Sequence, residues 1–504
     1  ELMDALSDTD IKFIITRHEQ SAAFITGIQG RLTGEPQVCL STLGPGATNL
    51  VTGVADAYLG GMPMIAITAQ AGLERTTPPT KQVLDLAALF RPITKDSVSI
   101  RSGNNIPLLF RRAFDLARQE RPGPVHIEMP EDVMRTESSG MPIARCEVET
   151  VRPDKRSMLQ IAEMLSESSR PLIIAGNGVV RSGAVQQMRD LSSRWNIPVI
   201  HTWWGAGIVS YDDKNSLNTT GVRASDNARE AYARADLIIL AGFDLIEFQP
   251  QYWNIGGKKE ILYLGDCPMG QSEHVHPDVQ VVGSLRHVLK TLSELGQLKE
   301  DWCQDIRSRV HMLIELDLTE SKGVRPQNAI RILSKRMGKQ DVVVSDVGAH
   351  LIWLAKYYPV YRENTLLLDN GLISMGVGVP WAIGAKTVRP ESKVVAVCGD
   401  GSFMMTMAEL ATAKEHGLNF ITMIFNDGGY GLIKLKMERS CGRSSNTQLL
   451  APDFVKLADA FGAEGYRVST SYELDQVLGD CLDRDALAVI DVKIDYDDNR
   501  SLIG

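Results

Sequence analysis

The residues most suggestive of chemistry are Gly399-Asp400-Gly401-Ser402, followed by Asn426-Asp427. The apolar run before Gly399 reads as a strand, and Phe403–His416 reads as a helix. A strand, a glycine-rich turn and a helix N-terminus make a phosphate site, because backbone N–H groups point at the anion and glycine lets it approach. A carboxylate in such a turn repels phosphate. A divalent cation between them resolves the conflict: Asp400 binds Mg²⁺, and Mg²⁺ binds a diphosphate. Asp427 ends the next apolar run, Phe420–Phe425. In a parallel sheet the C-terminal ends of neighbouring strands share one crevice, so Asp427 can complete the oxygen ligands. A Gly-Asp-Gly alone is most simply a turn; the downstream Asn-Asp turns it into a candidate metal–phosphate site.

A second group lies near the start. Arg17-His18-Glu19-Gln20 follows the strand-like run Ile11–Ile15, and Gly44-Pro45-Gly46 follows the run Val38–Leu40. By themselves Glu19 is a solvated carboxylate at a helix start and Gly-Pro-Gly a tight turn.

Positioning these residues requires strands that end together. Apolar runs at Ile11–Ile15, Val38–Leu40, Met64–Thr68, Val125–Glu128, Leu172–Ala175, Leu237–Ala241, Val342–Ser345, Val394–Cys398, Phe420–Phe425 and Ala488–Val492 alternate with helix-like stretches. That alternation predicts an α/β protein of parallel sheets covered by helices. Boundaries fall in the polar stretch Glu137–Arg156 and near Ser321–Pro326, giving three α/β blocks, a division that 504 residues favour. A hydrophobic fraction of 44% with 23% charged residues is that of a globular chain. A net charge of -9 argues against a nucleic-acid partner. No apolar stretch is long enough to span a bilayer and no signal peptide opens the sequence, so a cytoplasmic location is expected. Seven scattered cysteines without a Cys-x-x-Cys pair fit a reducing compartment and argue against a zinc site. "GNGVVRSG" at 176–183 lacks the spacing of a dinucleotide fingerprint and reads as a structural turn.

These motifs resemble the thiamine-diphosphate (ThDP) enzymes of the acetolactate synthase family, over nearly the whole chain. The carrying segments are "TRHEQSAAFITGIQGRLTG", "STLGPGATNLVTGVADAYLGGMPMIAITAQ", "DVGAHLIW" (346–353), "DNGLISMGVGVPWAIGA" (369–385) and the run from Gly399 to Asp427. The resemblance implies three doubly wound parallel-sheet domains: pyrimidine-binding (1–140), middle (155–300) and diphosphate-binding (325–504). It implies metal ligands at Asp400, Asp427 and the carbonyl of Gly429; the family more commonly has Asn where Asp427 stands. Gly399, Gly401, Ser402, Ala349 and His350 would hold the diphosphate. Met375 would be the wedge that bends ThDP, and the Ile373 carbonyl would accept from its amine. Glu19 would share a proton with the pyrimidine ring beside the Gly44-Pro45-Gly46 turn, favouring the imino tautomer that deprotonates the thiazolium. Gln82 and Lys95 match positions near the substrate. Lys95 could bind a substrate carboxylate or be a solvated surface lysine.

"ADLIILAGFDLIEFQPQYWN" (235–254), "VPWAIGA" and "IDYDDN" are closer to the catabolic, FAD-independent enzymes. Anabolic enzymes carry Arg-Phe-Asp-Asp where this chain has Gly242-Phe243-Asp244-Leu245, so FAD is not expected. Two further departures are Lys436, near a place where catabolic enzymes keep Gln, and a start that lacks a helix and strand usual in the family. The implied reaction is decarboxylation of pyruvate and ligation to a second pyruvate, giving 2-acetolactate. No adjacent His-His pair of the pyruvate-decarboxylase kind is present. The segment around Gln82 and Lys95 also resembles carboxyethylarginine synthase, so a carboligase with another donor or acceptor is the near alternative, and a weakly catalytic ThDP-binding subunit the distant one. The family's architecture implies a homodimer or homotetramer with active sites shared between subunits.

Overall fold

The computed structural model describes residues 2–76, 80–146, 151–220, 228–254, 256–257, 259–296, 298–315, 318–320 and 322–502. The chain divides into two compact units. The first comprises Glu1–Val148, Gly371–Glu391 and Met404–Asn419, and the second Glu149–Asn370, Ser392–Phe403 and Phe420–Gly504.

The first unit is built on a parallel sheet of β1 (Gln37–Ser41), β2 (Met64–Gln70), β3 (Ser97–Ser99) and β4 (Pro124–Pro130), in the order β1-β2-β4-β3. The helix Glu19–Thr33 starts where His18 Nδ1 accepts from Gln20 N, and it stops at Gly34, whose φ of 74° a glycine tolerates. The run Ile11–Ile15, expected as a strand, is not one. It pairs with no strand among the described residues, and Ile11 (62%), Phe13 (40%) and Ile15 (59%) stand exposed. An apolar alternating run makes a strand only when a neighbour takes its backbone hydrogen bonds. Here the segment and the edge strand β1 instead wall a cleft of about 990 Å³.

The second unit holds two six-stranded parallel sheets. The first contains β5 (Pro171–Ala175), β6 (Val199–His201), β7 (Ser216–Thr219), β8 (Leu237–Ala241), β9 (Glu260–Gly265) and β10 (Val279–Val282), in the order β10-β9-β8-β5-β6-β7. Its strands bury both faces. Ile173, Ile239 and Leu262 enter one core; Leu172, Ile238 and Ile261 enter the other. That period of two is why these strands read as continuous apolar runs. The second sheet contains β11 (Val342–Ser345), β12 (Leu366–Leu368), β13 (Val394–Gly399), β14 (Ile421–Asn426), β15 (Glu464–Val468) and β16 (Ala488–Lys493), in the order β12-β11-β13-β14-β16-β15. The three expected parallel-sheet α/β domains are thus present. The helix expected over Phe403–His416 is two helices, Asp400–Thr406 and Glu409–Glu415. Leu410 N and Ala411 N bond the carbonyls of Met407 and Ala408, three residues back, so the chain tightens and restarts there. No helix among the described residues is long and apolar enough to cross a membrane.

In the middle sheet the strand order reverses between β5 and β8, the usual place for a ligand crevice. The chain fills it with itself. Gly178 N donates to the Gly242 carbonyl at 2.8 Å. A Cβ on Gly178 would overlap Gly242 Cα at 2.7 Å, so these glycines serve loop-on-loop packing. Glu247, 3% exposed, occupies what is left. Its oxygens accept from Asn177 N at 3.0–3.1 Å and from the Thr202 hydroxyl, and its own carbonyl accepts from Asn370 Nδ2 at 2.6 Å. Burial pushes the Glu247 carboxyl from its ordinary 4.5 up to about 7, against the pull of the Thr202 hydroxyl. A carboxyl raised on folding stabilises the fold fully below its unfolded pKa, and that contribution disappears as pH climbs through the folded pKa. Stability attributable to Glu247, about 3 kcal/mol, should therefore fall between pH 4.5 and about 7. Thermal unfolding against pH checks this: Glu247→Gln should flatten the profile across that window relative to the parent, and parallel profiles would contradict the assignment.

Candidate ThDP and metal site

In the last sheet the order reverses between β11 and β13, and both strands end in the glycine-containing turns singled out by the sequence. After β11 the chain passes through Asp346 and Gly348 into the helix Ala349–Tyr357; after β13 it passes directly into Asp400–Thr406. Two helix N-termini meet at one switch point, where free N–H groups and the helix dipole favour an anion. Ser402 Oγ accepts from Gly399 N at 3.0 Å and so ties the second turn.

Asp400 is 1% exposed, and neither carboxylate oxygen makes a hydrogen bond of good geometry. Burial raises its pKa, although the amides of Gly401 and Gly429 lie close enough to oppose the shift. Desolvation and the Asp400 charge raise Asp427 up to about 7, although its residue stands at the exposed edge of the site; Lys434 counters weakly. One buried carboxyl and one at the rim thus lie within reach of each other's charge. Asp427 is wedged against Gly431, where any Cβ would overlap its Oδ2. The loop carrying Asp427 and Gly429 is held by Tyr430 N on the Thr447 carbonyl (2.8 Å) and Leu449 N on the Gly428 carbonyl (3.0 Å). Among the described residues no three His, Cys, Asp or Glu side chains gather as a metal site. Two hard carboxylates and a backbone carbonyl suit a cation that draws its remaining oxygens from a ligand, the habit of Mg²⁺. Tyr496, partly buried, lies near both carboxyls, and its pKa is raised by desolvation and by their charges. Asn426, by contrast, turns away: its Nδ2 donates to Asp491 at 2.9 Å, and Asp491 accepts from Arg467 at 3.0 Å.

His350 is 2% exposed. Burial lowers its pKa to about 4, the Asp346 backbone carbonyl pulling the other way. Its ring packs over Gly399, a Cβ there standing 3.3 Å from Cε1, and its Nε2 has no partner. His350, Ala349, Gly399, Gly401, Ser402, Asp400, Asp427 and Gly429 all belong to the second unit.

Glu19, the Gly44-Pro45-Gly46 turn and Gln82 come together in the first unit. Glu19 Oε2 accepts from Asn49 Nδ2 at 3.0 Å, and its Oε1 lies 3.3 Å from where a Gly46 Cβ would stand. Gly44 adopts φ 59°, ψ −117°, closed to other residues, and a Cβ there would meet the Gln82 carbonyl at 3.0 Å. Gln82 itself has φ 67°. Lys95 lies elsewhere: its Nζ donates to the Gln119 carbonyl at 2.6 Å. Ile373 and Met375 follow Gly371, which packs on the backbone of Leu59 and Gly60. Ile373 has φ 60°, costly for a β-branched residue, and is 48% exposed, so the turn rather than burial holds it there. Lys436 is exposed on the helix Gly431–Cys441, which has no buried residue.

Sequence comparison agrees with this geometry. Three family models match in order: the thiamine pyrophosphate enzyme N-terminal TPP binding domain over residues 1–89, the central domain over 158–292 and the C-terminal TPP binding domain over 346–492. An acetolactate synthase of Bacillus subtilis (strain 168) is 30% identical, covering 99% of this chain and 90% of the relative. A probable acetolactate synthase large subunit of Methanocaldococcus jannaschii is 33% identical, covering 98% and 87%. A catabolic acetolactate synthase of Raoultella terrigena is 30% identical, covering 100% and 92%. Matched in order by all three domain models and by these relatives over nearly its whole length, this chain belongs to the thiamine-diphosphate-dependent enzymes of the acetolactate synthase family.

Proposed function

We propose that this enzyme is a Mg²⁺-dependent acetolactate synthase, converting two pyruvates to 2-acetolactate and carbon dioxide. The observation that carries the reading is Asp400, buried with both carboxylate oxygens unpartnered, beside Asp427 at the next strand end, both raised in pKa. Asp400, Asp427 and the Gly429 carbonyl would hold Mg²⁺ on the diphosphate. The amides at Ala349 and Gly401, with Gly399, Ser402 and the unpartnered His350 Nε2, would hold the diphosphate oxygens. Bound ThDP supplies the carbanion that attacks the keto carbon and the electron sink that lets carbon dioxide leave. Glu19 keeps a proton on the pyrimidine ring and receives it back. Met375 would pack against bound ThDP, and the Ile373 carbonyl would accept from its amine. Gln82, beside the glycine turn, would meet substrate. Lys95, engaged with a helix-end carbonyl, is the weaker candidate for that role.

The proposed boundaries remain 1–140, 155–300 and 325–504 for the three functional domains, and the proposed location is the cytoplasm. We also read the enzyme as flavin-independent, because Glu247 and the Gly178–Gly242 packing fill the middle sheet's crevice. The proposed assembly is at least a homodimer, in which Glu19 of one copy serves with Asp400 of the other.

Two measurements test these points. Purified protein given pyruvate, ThDP and Mg²⁺ should be colourless and release one carbon dioxide per 2-acetolactate, identified by mass spectrometry. Pyruvate left unconsumed while another donor or acceptor reacts would assign a different carboligation. Separately inactive Glu19→Gln and Asp400→Ala proteins, mixed and allowed to exchange subunits, should regain part of the activity, because a mixed dimer has one site with both residues intact. Proven exchange without recovered activity would defeat the shared site.

A further inference from the structure

Glu409 is wholly buried at the first position of the helix Glu409–Glu415, a place where a carboxylate normally faces solvent. Its oxygens face the turn just before Glu19. Oε1 accepts from Arg17 N at 3.1 Å and His18 N at 3.0 Å; Oε2 accepts from Arg17 N at 3.2 Å and from the Thr412 hydroxyl at 2.6 Å. Two successive backbone N–H groups converging on one anion form a nest, and charge-assisted bonds of this kind are about twice as strong as neutral ones. The Arg17 side chain closes the clamp. Its Nη1 donates to the Ile15 carbonyl (3.0 Å) and the Thr412 hydroxyl (3.2 Å), and its Nη2 pairs with Glu415 at 2.7 Å.

The clamp matters for its place in the chain: the Glu409 carboxylate grips the backbone of residues 17 and 18, and Glu19, the first residue of the next helix, follows directly. We propose that Glu409 is a positioning residue for Glu19: it sets the height and direction from which the Glu19 carboxyl meets the pyrimidine ring. This rests on the reading of Glu19 given under Proposed function.

The experiment follows hydrogen–deuterium exchange at the thiazolium carbon of ThDP bound to the Mg²⁺ holoenzyme, by rapid quench and NMR. It compares the parent, Glu19→Gln, Glu409→Gln and the double variant. The glutamine keeps the size of Glu409 but turns an amide N–H₂ towards N–H donors, so the turn should shift. Misplacement of a catalytic group by about 1 Å costs roughly 10²-fold, and Glu409→Gln should slow exchange on that order. ThDP affinity should change no more than it does in Glu19→Gln. In the double variant exchange should match Glu19→Gln alone, because a misplaced glutamine has nothing further to lose. Glu409→Asp, which keeps the charge and both acceptors, should recover part of the rate. If thermal unfolding shows that Glu409→Gln does not fold, the same cycle is run with Glu409→Asp, which should then slow exchange measurably and add nothing to Glu19→Gln. Exchange at the parent rate in the Glu409 variant, or slowing that multiplies with that of Glu19→Gln, overturns the proposal. Parent-rate exchange in Glu19→Gln instead overturns the reading of Glu19.

Discussion

Two carboxyl groups, Asp400 and Asp427, stand at neighbouring strand ends, the first buried and the second at the exposed edge of the site, and Lys434 is only a weak counter-charge to them. In a desolvated place that arrangement is unfavourable whenever both are charged, and raised pKa values are its direct expression. On the proposed reading a divalent cation would remove the conflict and turn the same two groups into ligands. Much of the surrounding structure serves that pair. Asn426 and Asp491 anchor the end of β14, Gly431 leaves room for the Asp427 carboxylate, and the segment near Thr447 straps the loop in place.

Placement of the pair follows from topology. Both carboxyls stand at the C-terminal ends of adjacent parallel strands, beside the point where the strand order reverses. The middle sheet has the same kind of reversal and uses it oppositely. There Glu247 lies where an anionic ligand would lie, on the amide of Asn177, and glycines draw the two loops into contact. One architecture thus leaves one crevice open to an anion and plugs the other with its own carboxylate, in keeping with function residing in the site and not the fold. The first unit contributes a carboxylate of another sort. Glu19 is presented at a helix start, and the buried Glu409 grips the two residues before it.

Much of this was legible in the residues. The strands at Leu172–Ala175, Leu237–Ala241, Val342–Ser345 and Val394–Cys398 are buried on both faces, so their apolar runs are unbroken and easily read. Ile11–Ile15 misled because alternation reports what a side-chain pattern allows, not whether a partner strand is present. Short strands such as Ser97–Ser99 and Leu366–Leu368 carry too few residues to show a period. The Gly-Asp-Gly and Asn-Asp signals were readable because glycines and carboxylates at the ends of apolar runs are distinctive in type and spacing. Glu409 and Glu247 left no such mark: each is one acidic residue in an ordinary stretch, and its importance lies in backbone amides far away in the chain. Lys95 was matched by position alone, and nothing in the sequence shows that its ammonium donates to the Gln119 carbonyl.

The central claim is that Asp400 and Asp427 bind ThDP only through a divalent cation. Calorimetric titration of ThDP into metal-stripped protein tests it, first with Mg²⁺, then with a strong chelator, and in parallel with Asp400→Ala. Saturable binding with Mg²⁺ that disappears under chelation and in Asp400→Ala is the predicted result. Equally tight binding in the presence of chelator would contradict the account.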